Sequence, residues 1–185
     1  MPVIKISTDT GLVLRDATAD DAQVIAEIYN ETISTGIDTM DDTLQTEASI
    51  QAQMAGFNKR ECFMVLERDG YVVGWGIIKK YSPRPGYRFC CETSVYLRHS
   101  EVRKGYGSYI KTGLIERCKE YGYHHLLARI WASNAASIAY NEQFGYEIVG
   151  IQKEIGYKRG KWRDIALMQL VLSDVPPEIP EKYQD

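Results

Sequence analysis

The stretch VRKGYGSY, residues 102–109, joins a run typical of a β-strand, TSVYL at 93–97, to a run typical of a helix at 108–121. It places two glycines and two cations at the point where the strand turns into the helix. Because glycine adopts backbone conformations that other residues avoid, consecutive N–H groups of such a turn can converge on one anion. The positive end of the helix dipole points to the same place. The turn predicts a phosphate site; the alternative is a plain strand-to-helix turn with two solvated cations.

Gly105 and Gly107 do not fit the common nucleotide-binding motifs. A third glycine in the register of Rossmann proteins is missing, and no G-K-[ST] follows as in P-loop proteins. The rest of the chain must therefore indicate the protein class to which the turn belongs.

Size and composition favour one globular domain over residues 1–185. The 185 residues are 44% hydrophobic and 25% charged, which is enough to bury a core. Acidic residues outnumber basic ones, 25 to 22, and this argues against a nucleic-acid-binding protein, which needs many spare cations. The N-terminus lacks the apolar stretch of a signal peptide, and no run is long enough to span a membrane. We expect a cytoplasmic protein with no membrane partner.

The cysteines and histidines do not indicate a metal site. The four cysteines, two of them adjacent at Cys90 and Cys91, show no C-x-x-C spacing, so we expect reduced thiols. The three histidines have no acidic or cysteine partner at the spacing of metal ligands.

Hydrophobic periodicity and turn residues give the element order β-αα-βββ-α-β-α-ββ. Arg68-Asp69-Gly70 is a tight hairpin signal, and the glycines at 74 and 76 lie inside a strand, where a bulge or a close ligand is the usual reason. The order predicts an α/β fold with a mixed, mostly antiparallel twisted sheet of about seven strands and helices on both faces. The core spans residues 12–172, and the tail at 173–185 is expected to fray.

Four segments in this order resemble the GCN5-related N-acetyltransferases, the GNAT superfamily, over residues 12–172. They are SVYL at 94–97, VRKGYGS at 102–108, NAAS at 134–137 and FGYE at 144–147. In that family the turn after the fourth strand, Q/R-x-x-G-x-G/A, binds the pyrophosphate of acetyl-coenzyme A. Here Val102 occupies the first position, so one phosphate contact is missing unless Arg103 replaces it.

Within the superfamily, two further segments resemble the phosphinothricin and methionine sulfoximine N-acetyltransferases. They are YRFCCETSVY at 87–96 and GYKRGKWRD at 156–164. The resemblance implies acetyl transfer from acetyl-CoA to the amino group of a small amino acid or analogue, and it implies a homodimer. An N-acetyltransferase of another amine (a protein N-terminus, a polyamine or an aminoglycoside) and a non-catalytic acyl-CoA-binding module are the alternatives.

Acetyl transfer to an amine needs a base, because free amines are mostly protonated near neutral pH. Glu92 lies in an otherwise apolar run, so its carboxylate is expected to be partly buried and is our candidate base, acting directly or through water. The alternative is an ion pair with Arg88 that holds the preceding loop.

The resemblance also implies the residues that bind the coenzyme. Backbone groups of Val95, Tyr96 and Leu97 are expected to contact the pantetheine arm and the thioester. Asn134 and Ser137 are expected to contact the pantetheine, although either residue could instead cap the next helix. The pyrophosphate is assigned to Arg103, Lys104, Gly105, Tyr106, Gly107 and Ser108.

The acceptor site is predicted from the two branch segments. Pro85, Gly86, Tyr87 and Arg88 match the loop that contacts the substrate, and Arg88 could bind a carboxylate or phosphinate. Trp162 and Asp164 are expected to complete the pocket across a dimer interface; a buried core tryptophan is the alternative. Many superfamily members protonate the leaving thiolate with a tyrosine at the position of Asn141. Here either water or the neighbouring Tyr140 takes that role; we favour water, because Tyr140 projects about 100° away from the Asn141 position on a helix.

Overall fold

The computed structural model describes residues 11–184, which fold into one sheet of seven strands with four α-helices. The strands are β1 (Leu12–Asp16), β2 (Cys62–Arg68), β3 (Tyr71–Lys80), β4 (Cys90–Leu97), β5 (His125–Trp131), β6 (Glu147–Lys158) and β7 (Lys161–Val171). The helices are α1 (Ala22–Thr35), α2 (Glu47–Ala55), α3 (Tyr106–Glu120) and α4 (Ala135–Glu142). The predicted order of elements is confirmed.

The strands lie in the order β1-β2-β3-β4-β5-β7-β6. Only β4 and β5 pair in parallel, and helix α3 makes the crossover that a parallel pair requires. Every other neighbouring pair is antiparallel. The mixed, mostly antiparallel sheet that the sequence predicts is therefore confirmed.

Each face of the sheet carries a separate hydrophobic core. Helices α1 and α2 cover one face, where Ile25, Ile28 and Ile50 pack against β2 and β3. Helix α3 covers the other face with Ile110 and Leu114. The buried positions of α1 recur at intervals of three and four residues, so one stripe of the helix faces the sheet.

Gly74 and Gly76 lie inside β3, and the bulge that the sequence predicts for one of them is present. The β2–β3 register pairs Leu66 with Gly74 but the next residue with Val72, so a bulge lies beside Gly74. Helix α3 is a close neighbour: a Cβ on Gly76 would lie 2.6 Å from Cγ2 of Ile110 on that helix. The two glycines therefore let α3 approach the sheet.

The C-terminal segment does not fray as the sequence predicts. Val175 is buried in the α3-side core. The Tyr183 ring packs edge-on to Tyr121, with ring centroids 4.7 Å apart, and its hydroxyl donates to the Glu120 carboxylate at 2.6 Å. These contacts hold the segment against the end of α3.

The four cysteines are free thiols, and the sulfur atoms of Cys91 and Cys118 lie 3.6 Å apart in the core. Within residues 11–184, no helix has the length and apolarity needed to cross a membrane. Over the same range, no group of three histidine, cysteine or acidic side chains is arranged to hold a metal ion.

Gly74→Ala should destabilise the protein by about 1–3 kcal/mol, because overpacking a close contact costs that much. The new Cβ would lie 2.7 Å from the backbone oxygen of Tyr96, which cannot move freely. Urea unfolding should show a lower midpoint. Gly150→Ala is the matched control: a Cβ there meets nothing within 4 Å. Equal midpoints for the two variants would contradict this account of Gly74.

Candidate active site

Strands β4 and β5 separate partway along their length. Their pairing covers only Cys90 to Glu92 on β4, although β4 continues to Leu97 and β5 continues to Trp131. Strand β3 stays paired with β4 as far as Leu97, and β7 stays paired with β5 as far as Trp131. The outer strands therefore hold the two inner strands apart, and a wedge-shaped gap opens after Glu92.

Backbone groups of β4 face this gap. In an antiparallel pair, alternate residues exchange hydrogen bonds with the partner strand. The Tyr81 N–H donates to the Cys90 carbonyl, and the Arg98 N–H donates to the Val73 carbonyl, so the even-numbered residues of β4 are bonded to β3. Val95 and Leu97 consequently direct their N–H and C=O groups into the gap, whereas the backbone of Tyr96 is directed to β3.

The glycine turn has the geometry of an anion-binding nest. Arg103 and Gly105 both have left-handed backbone angles, with φ of 63° and 82°. Gly105 is the N-cap of α3, so the N–H groups of Tyr106 and Gly107 precede the hydrogen-bond ladder of the helix. The turn thus collects backbone donors at the positive end of α3.

Some residues of the turn line a cavity, and others bind side chains outside it. Val102, Arg103 and Gly107 line the cavity described below. Lys104 instead pairs with Glu101 at 3.0 Å, and the Tyr106 hydroxyl accepts a hydrogen bond from Arg68 at 2.7 Å. Lys104 therefore has an acidic partner beside the turn, whereas Arg103 lines the cavity.

A cavity of about 490 Å³ occupies the gap between β4 and β5 and extends along the starts of α3 and α4. Asn134 and Ser137 both line it. The Asn134 side chain caps α4 by accepting from the Ser137 N–H at 2.9 Å, and its amide also donates to the Asp38 carboxylate. Asn134 therefore caps α4, which the sequence analysis gave as the alternative role. It also lines the larger cavity.

A second cavity, of about 120 Å³, lies on the side of the sheet that carries α1 and α2. Ser94 and Tyr96 line both cavities. The polar residues of the smaller cavity include Asp41 and Lys79. The two cavities therefore share part of their walls at these two β4 residues.

Glu92 is the last β4 residue paired with β5, and its carboxylate binds the guanidinium of Arg129 on β5. The side chain is only 18% exposed. The alternative ion pair with Arg88 is wrong, because the Arg88 guanidinium donates to the Pro85 carbonyl at 3.1 Å and lies over the Phe89 ring. Glu92 lines neither cavity, but Ser94, two residues further on the same face of β4, lines both.

The predicted acceptor residues are not brought to these cavities within one chain. Residues 85–87 form an exposed turn at the β3–β4 connection. Trp162 is 59% exposed on the β6–β7 hairpin and contacts Tyr157, so the buried-core alternative is wrong. Asp164 accepts from the Glu154 N–H at 2.8 Å. Residues that line neither cavity are Pro85, Gly86, Tyr87, Arg88, Trp162 and Asp164.

Lys111, on α3, is a cavity residue that the sequence interpretation missed. Its ammonium is buried and donates to the Asn141 side-chain oxygen at 2.9 Å. Burial lowers the pKa of Lys111 to about 8, because the apolar surroundings disfavour the charged form. The signal was present: Lys111 is three residues before Leu114 and seven before Cys118, which places all three on the buried stripe of α3.

Comparison with known proteins gives the family. A family model described as an acetyltransferase (GNAT) domain matches residues 14–167. The chain belongs to the GNAT acetyltransferase family. It is 32% identical over 171 residues to phosphinothricin N-acetyltransferase of Alcaligenes faecalis, covering 91% of this chain and 85% of that protein.

Two further GNAT proteins are similar over most of their length. An L-methionine sulfoximine/L-methionine sulfone acetyltransferase of Pseudomonas paraeruginosa is 33% identical over 161 residues, covering 86% of this chain and 94% of that protein. The crystal structure of a phosphinothricin acetyltransferase of Sinorhizobium meliloti, solved in complex with acetyl-CoA, aligns with a TM-score of 0.80 and 30% identity. The alignment covers 95% of this chain and 100% of the Sinorhizobium meliloti chain.

Gly105→Ala should lower the stability of this GNAT domain and weaken its binding of pyrophosphate. A left-handed residue other than glycine costs about 1–2 kcal/mol, and the space around Gly105 is open, so the backbone alone is tested. Thermal unfolding and calorimetric titration with inorganic pyrophosphate measure both effects. Gly86→Ala, also in open space but without a left-handed angle, is the control. Unchanged pyrophosphate affinity in Gly105→Ala would contradict the nest.

Lys111→Met should stabilise the domain at pH 7, by up to about 3 kcal/mol. The folded-state pKa of Lys111 is about 8 and its ordinary value is 10.5, so folding penalises the ammonium fully below pH 8. As the pH rises from 8 to 10.5, the folded protein releases this proton first, and the penalty disappears. Urea unfolding at pH 7 and pH 10 measures the free energy of unfolding of both proteins. The difference between Lys111→Met and the wild type should be smaller at pH 10 than at pH 7. Lys119→Met, a surface change on the same helix, is the control; a pH-independent difference for Lys111→Met would contradict the shifted pKa.

Proposed function

We propose that this GNAT domain is an acetyl-CoA-dependent N-acetyltransferase that acetylates the amino group of a small amino acid or analogue, of the phosphinothricin or methionine sulfoximine type. The observation that carries the proposal is that two cavities share Ser94 and Tyr96 as lining residues, beside the gap in the sheet. A donor in the larger cavity and an acceptor in the smaller one would approach each other at these two residues.

The larger cavity fits the coenzyme chemically. The nest at Gly105 offers backbone donors to a pyrophosphate, and the side chain of Arg103 adds one positive charge on the cavity wall. Val95 and Leu97 offer the unpaired backbone groups that an extended amide-containing arm would satisfy, as an added strand does. When bound, acetyl-CoA supplies an activated acetyl thioester.

The smaller cavity suits a small acceptor. At about 120 Å³ it is smaller than the pockets that hold drug-sized ligands. Lys79 could bind an acceptor carboxylate. The similarity to enzymes named for phosphinothricin and for methionine sulfoximine supports the same substrate class.

Glu92 is the proposed base. Its side chain lies on the face of β4 that carries Ser94 and Tyr96, which is the acceptor side of the sheet. Arg129 positions the carboxylate at the closed end of the gap. From this position Glu92 would remove a proton from the acceptor ammonium, directly or through one water, so that a neutral amine attacks.

We also propose that the domain forms a homodimer through the β6–β7 hairpin. Strand β6 is at the edge of the sheet and exposes several large apolar side chains, which is unusual for a free edge. A second copy paired there would bring its own Trp162 and Asp164 toward the acceptor side. The exposed apolar residues are Ile148, Val149, Ile151, Ile155, Tyr157 and Trp162. Four reduced thiols accord with a cytoplasmic location.

An acceptor screen tests the substrate class. Release of the coenzyme thiol is followed with phosphinothricin, methionine sulfoximine, methionine sulfone, a polyamine, an aminoglycoside and a peptide with a free N-terminus. We expect turnover with the amino acid analogues and little with the others. Turnover with the peptide or the polyamine alone would reject the proposed acceptor, and acetyl-CoA binding without turnover on any amine would favour a non-catalytic module.

Glu92→Gln should reduce kcat at pH 7 by about 10²-fold or more, the usual contribution of a general base. Binding of acetyl-CoA, measured by calorimetry, should stay unchanged, because Glu92 does not line the larger cavity. Glu116→Gln, which removes an exposed carboxylate paired with Lys119 on α3, is the control. Equal rates for Glu92→Gln and the wild type would exclude Glu92 as the base.

A further inference from the structure

Lys111 is a buried cation without a buried counter-charge. Its side chain is 2% exposed, and its only hydrogen-bond acceptor within residues 11–184 is the neutral amide of Asn141. No carboxylate of those residues forms an ion pair with it. Burying an unpaired charge is expensive in free energy, so a lysine at this position requires a reason beyond packing.

The ammonium lies close to the closed end of the gap between β4 and β5. Its nitrogen is 4.7 Å from the centre of the Tyr146 ring, and the Tyr146 hydroxyl is 3.0 Å from the hydroxyl of Thr93. Thr93 is the first β4 residue beyond the last pair with β5. Lys111 itself lines the larger cavity, one helical turn or about 6 Å beyond Gly107 of the nest.

This position corresponds to the reactive end of the ligand in the proposed function. If the nest holds the pyrophosphate and the backbone of Val95 and Leu97 holds the arm, the sulfur at the end of the arm reaches the narrow part of the gap. The ammonium of Lys111 is the buried cation on the wall of that part of the cavity.

Among residues 11–184, the other titratable groups that face Lys111 release a proton less easily. Tyr140 from α4 and Tyr146, the residue before β6, face it with their rings, and Cys118 on its own helix also acts on its pKa. Burial raises the pKa of both tyrosines above the usual range, so their hydroxyls hold their protons. In addition, the Tyr140 hydroxyl donates to the Gly107 carbonyl at 2.6 Å.

The other charged or titratable side chains of the cavity wall come from separate elements. Arg129 is bound to Glu92, and Asp38 is bound to Asn134. The remaining ones are Tyr96, His99 and Arg103.

We propose that Lys111 is the general acid of the transfer, and that Asn141 positions its ammonium toward the sulfur that leaves. This inference rests on the proposed acetyl transfer. As the new C–N bond forms and the C–S bond of the thioester breaks, the electron pair of the C–S bond goes to sulfur. The Lys111 ammonium donates a proton to that sulfur and becomes a neutral amine. Glu92 or water takes the proton lost by the attacking amine, and solvent returns a proton to Lys111.

The pKa of Lys111 agrees with this role. A general acid is most effective when its pKa is close to the working pH, and burial has brought this lysine from 10.5 to about 8. An ordinary surface lysine would hold its proton too tightly to donate it. The neutral Asn141 partner leaves the lowered pKa in place, whereas a carboxylate partner would raise it.

The test compares wild type, Lys111→Met and the surface control Lys119→Met in two measurements. The first is the binding of coenzyme A and of desulfo-coenzyme A, which lacks the thiol, by calorimetry at pH 7. The second is kcat and KM for acetyl-CoA as a function of pH. Circular dichroism verifies that each variant is folded.

In the binding measurement, Lys111→Met should lose about tenfold or more in affinity for coenzyme A, the value of a hydrogen bond to a charged group. Its affinity for desulfo-coenzyme A should stay unchanged. A lysine that only ties α3 to α4 would change the two affinities equally, and that result overturns the proposal.

In the kinetic measurement, Lys111→Met should lose about 10²-fold in kcat with little change in KM. The wild-type kcat should fall as the pH rises past 8, because Lys111 loses the proton it donates, and the variant should lack this fall. Lys111→Arg should keep the preference for coenzyme A over the desulfo compound but should not restore kcat, because arginine does not release its proton. An unchanged kcat in Lys111→Met overturns the proposal.

The two measurements separate this inference from the proposed function. A wild type that prefers coenzyme A through Lys111 but acetylates no amine overturns the proposed activity and supports the location of Lys111 beside sulfur. A wild type that acetylates amino acid analogues while Lys111→Met does so equally well overturns only the role of Lys111.

Discussion

The separation of β4 from β5 after Glu92 is the constraint on which the rest of this GNAT domain depends. A buried strand normally satisfies its N–H and C=O groups on both sides, and each unsatisfied group costs free energy. Here β3 stays paired with β4, and β7 with β5, to the ends of those strands. Strands β4 and β5 therefore cannot pair with each other beyond Glu92. Val95 and Leu97 are left with backbone groups that a bound molecule can satisfy.

The same separation determines where the helices begin. Because β4 and β5 are parallel, their carboxyl ends lie at the same edge of the sheet, and α3 and α4 both start there. Two helix N-termini with their free N–H groups consequently face one cavity. The left-handed angles of Arg103 and Gly105 turn the chain sharply enough for α3 to begin close to the end of β4. One topological feature thus provides both the gap and the anion site.

Sequence patterns predicted the elements well but predicted contacts between distant elements poorly. Strand and helix periodicity and the Asp69-Gly70 turn are local signals, and the order and type of every element followed from them. The ion-pair partner of Glu92 did not follow from local signals. The sequence indicated Arg88, which is near in sequence, but the partner is Arg129, which the β4–α3–β5 crossover brings beside Glu92. The sequence also could not show that the chain folds its Trp162 away from its own cavities.

Lys111 shows the same limitation at the site itself. The sequence shows that Asn141 occupies the position of the usual family tyrosine. It does not show that Lys111, on another helix, contacts Asn141, because a lysine is normally assigned to the surface. A second buried lysine shows what a purely structural ammonium looks like in this chain. Lys158 donates to the carbonyls of Thr39 and Asp41 at 2.8 and 2.7 Å and lies 3.5 Å from the Asp42 carboxylate.

An ammonium has three N–H donors, and Lys158 has an oxygen for each of them. Lys111 has one such oxygen within the described residues, the side-chain oxygen of Asn141. Its other donors are left for whatever occupies the cavity. The two buried lysines therefore differ in their surroundings: Lys158 is held by oxygens of the chain, whereas Lys111 lines the larger cavity. No acidic residue of the described chain pairs with Lys111, and this lysine lines the larger cavity, so the proposed acid role assigns it to the ligand and not to the fold.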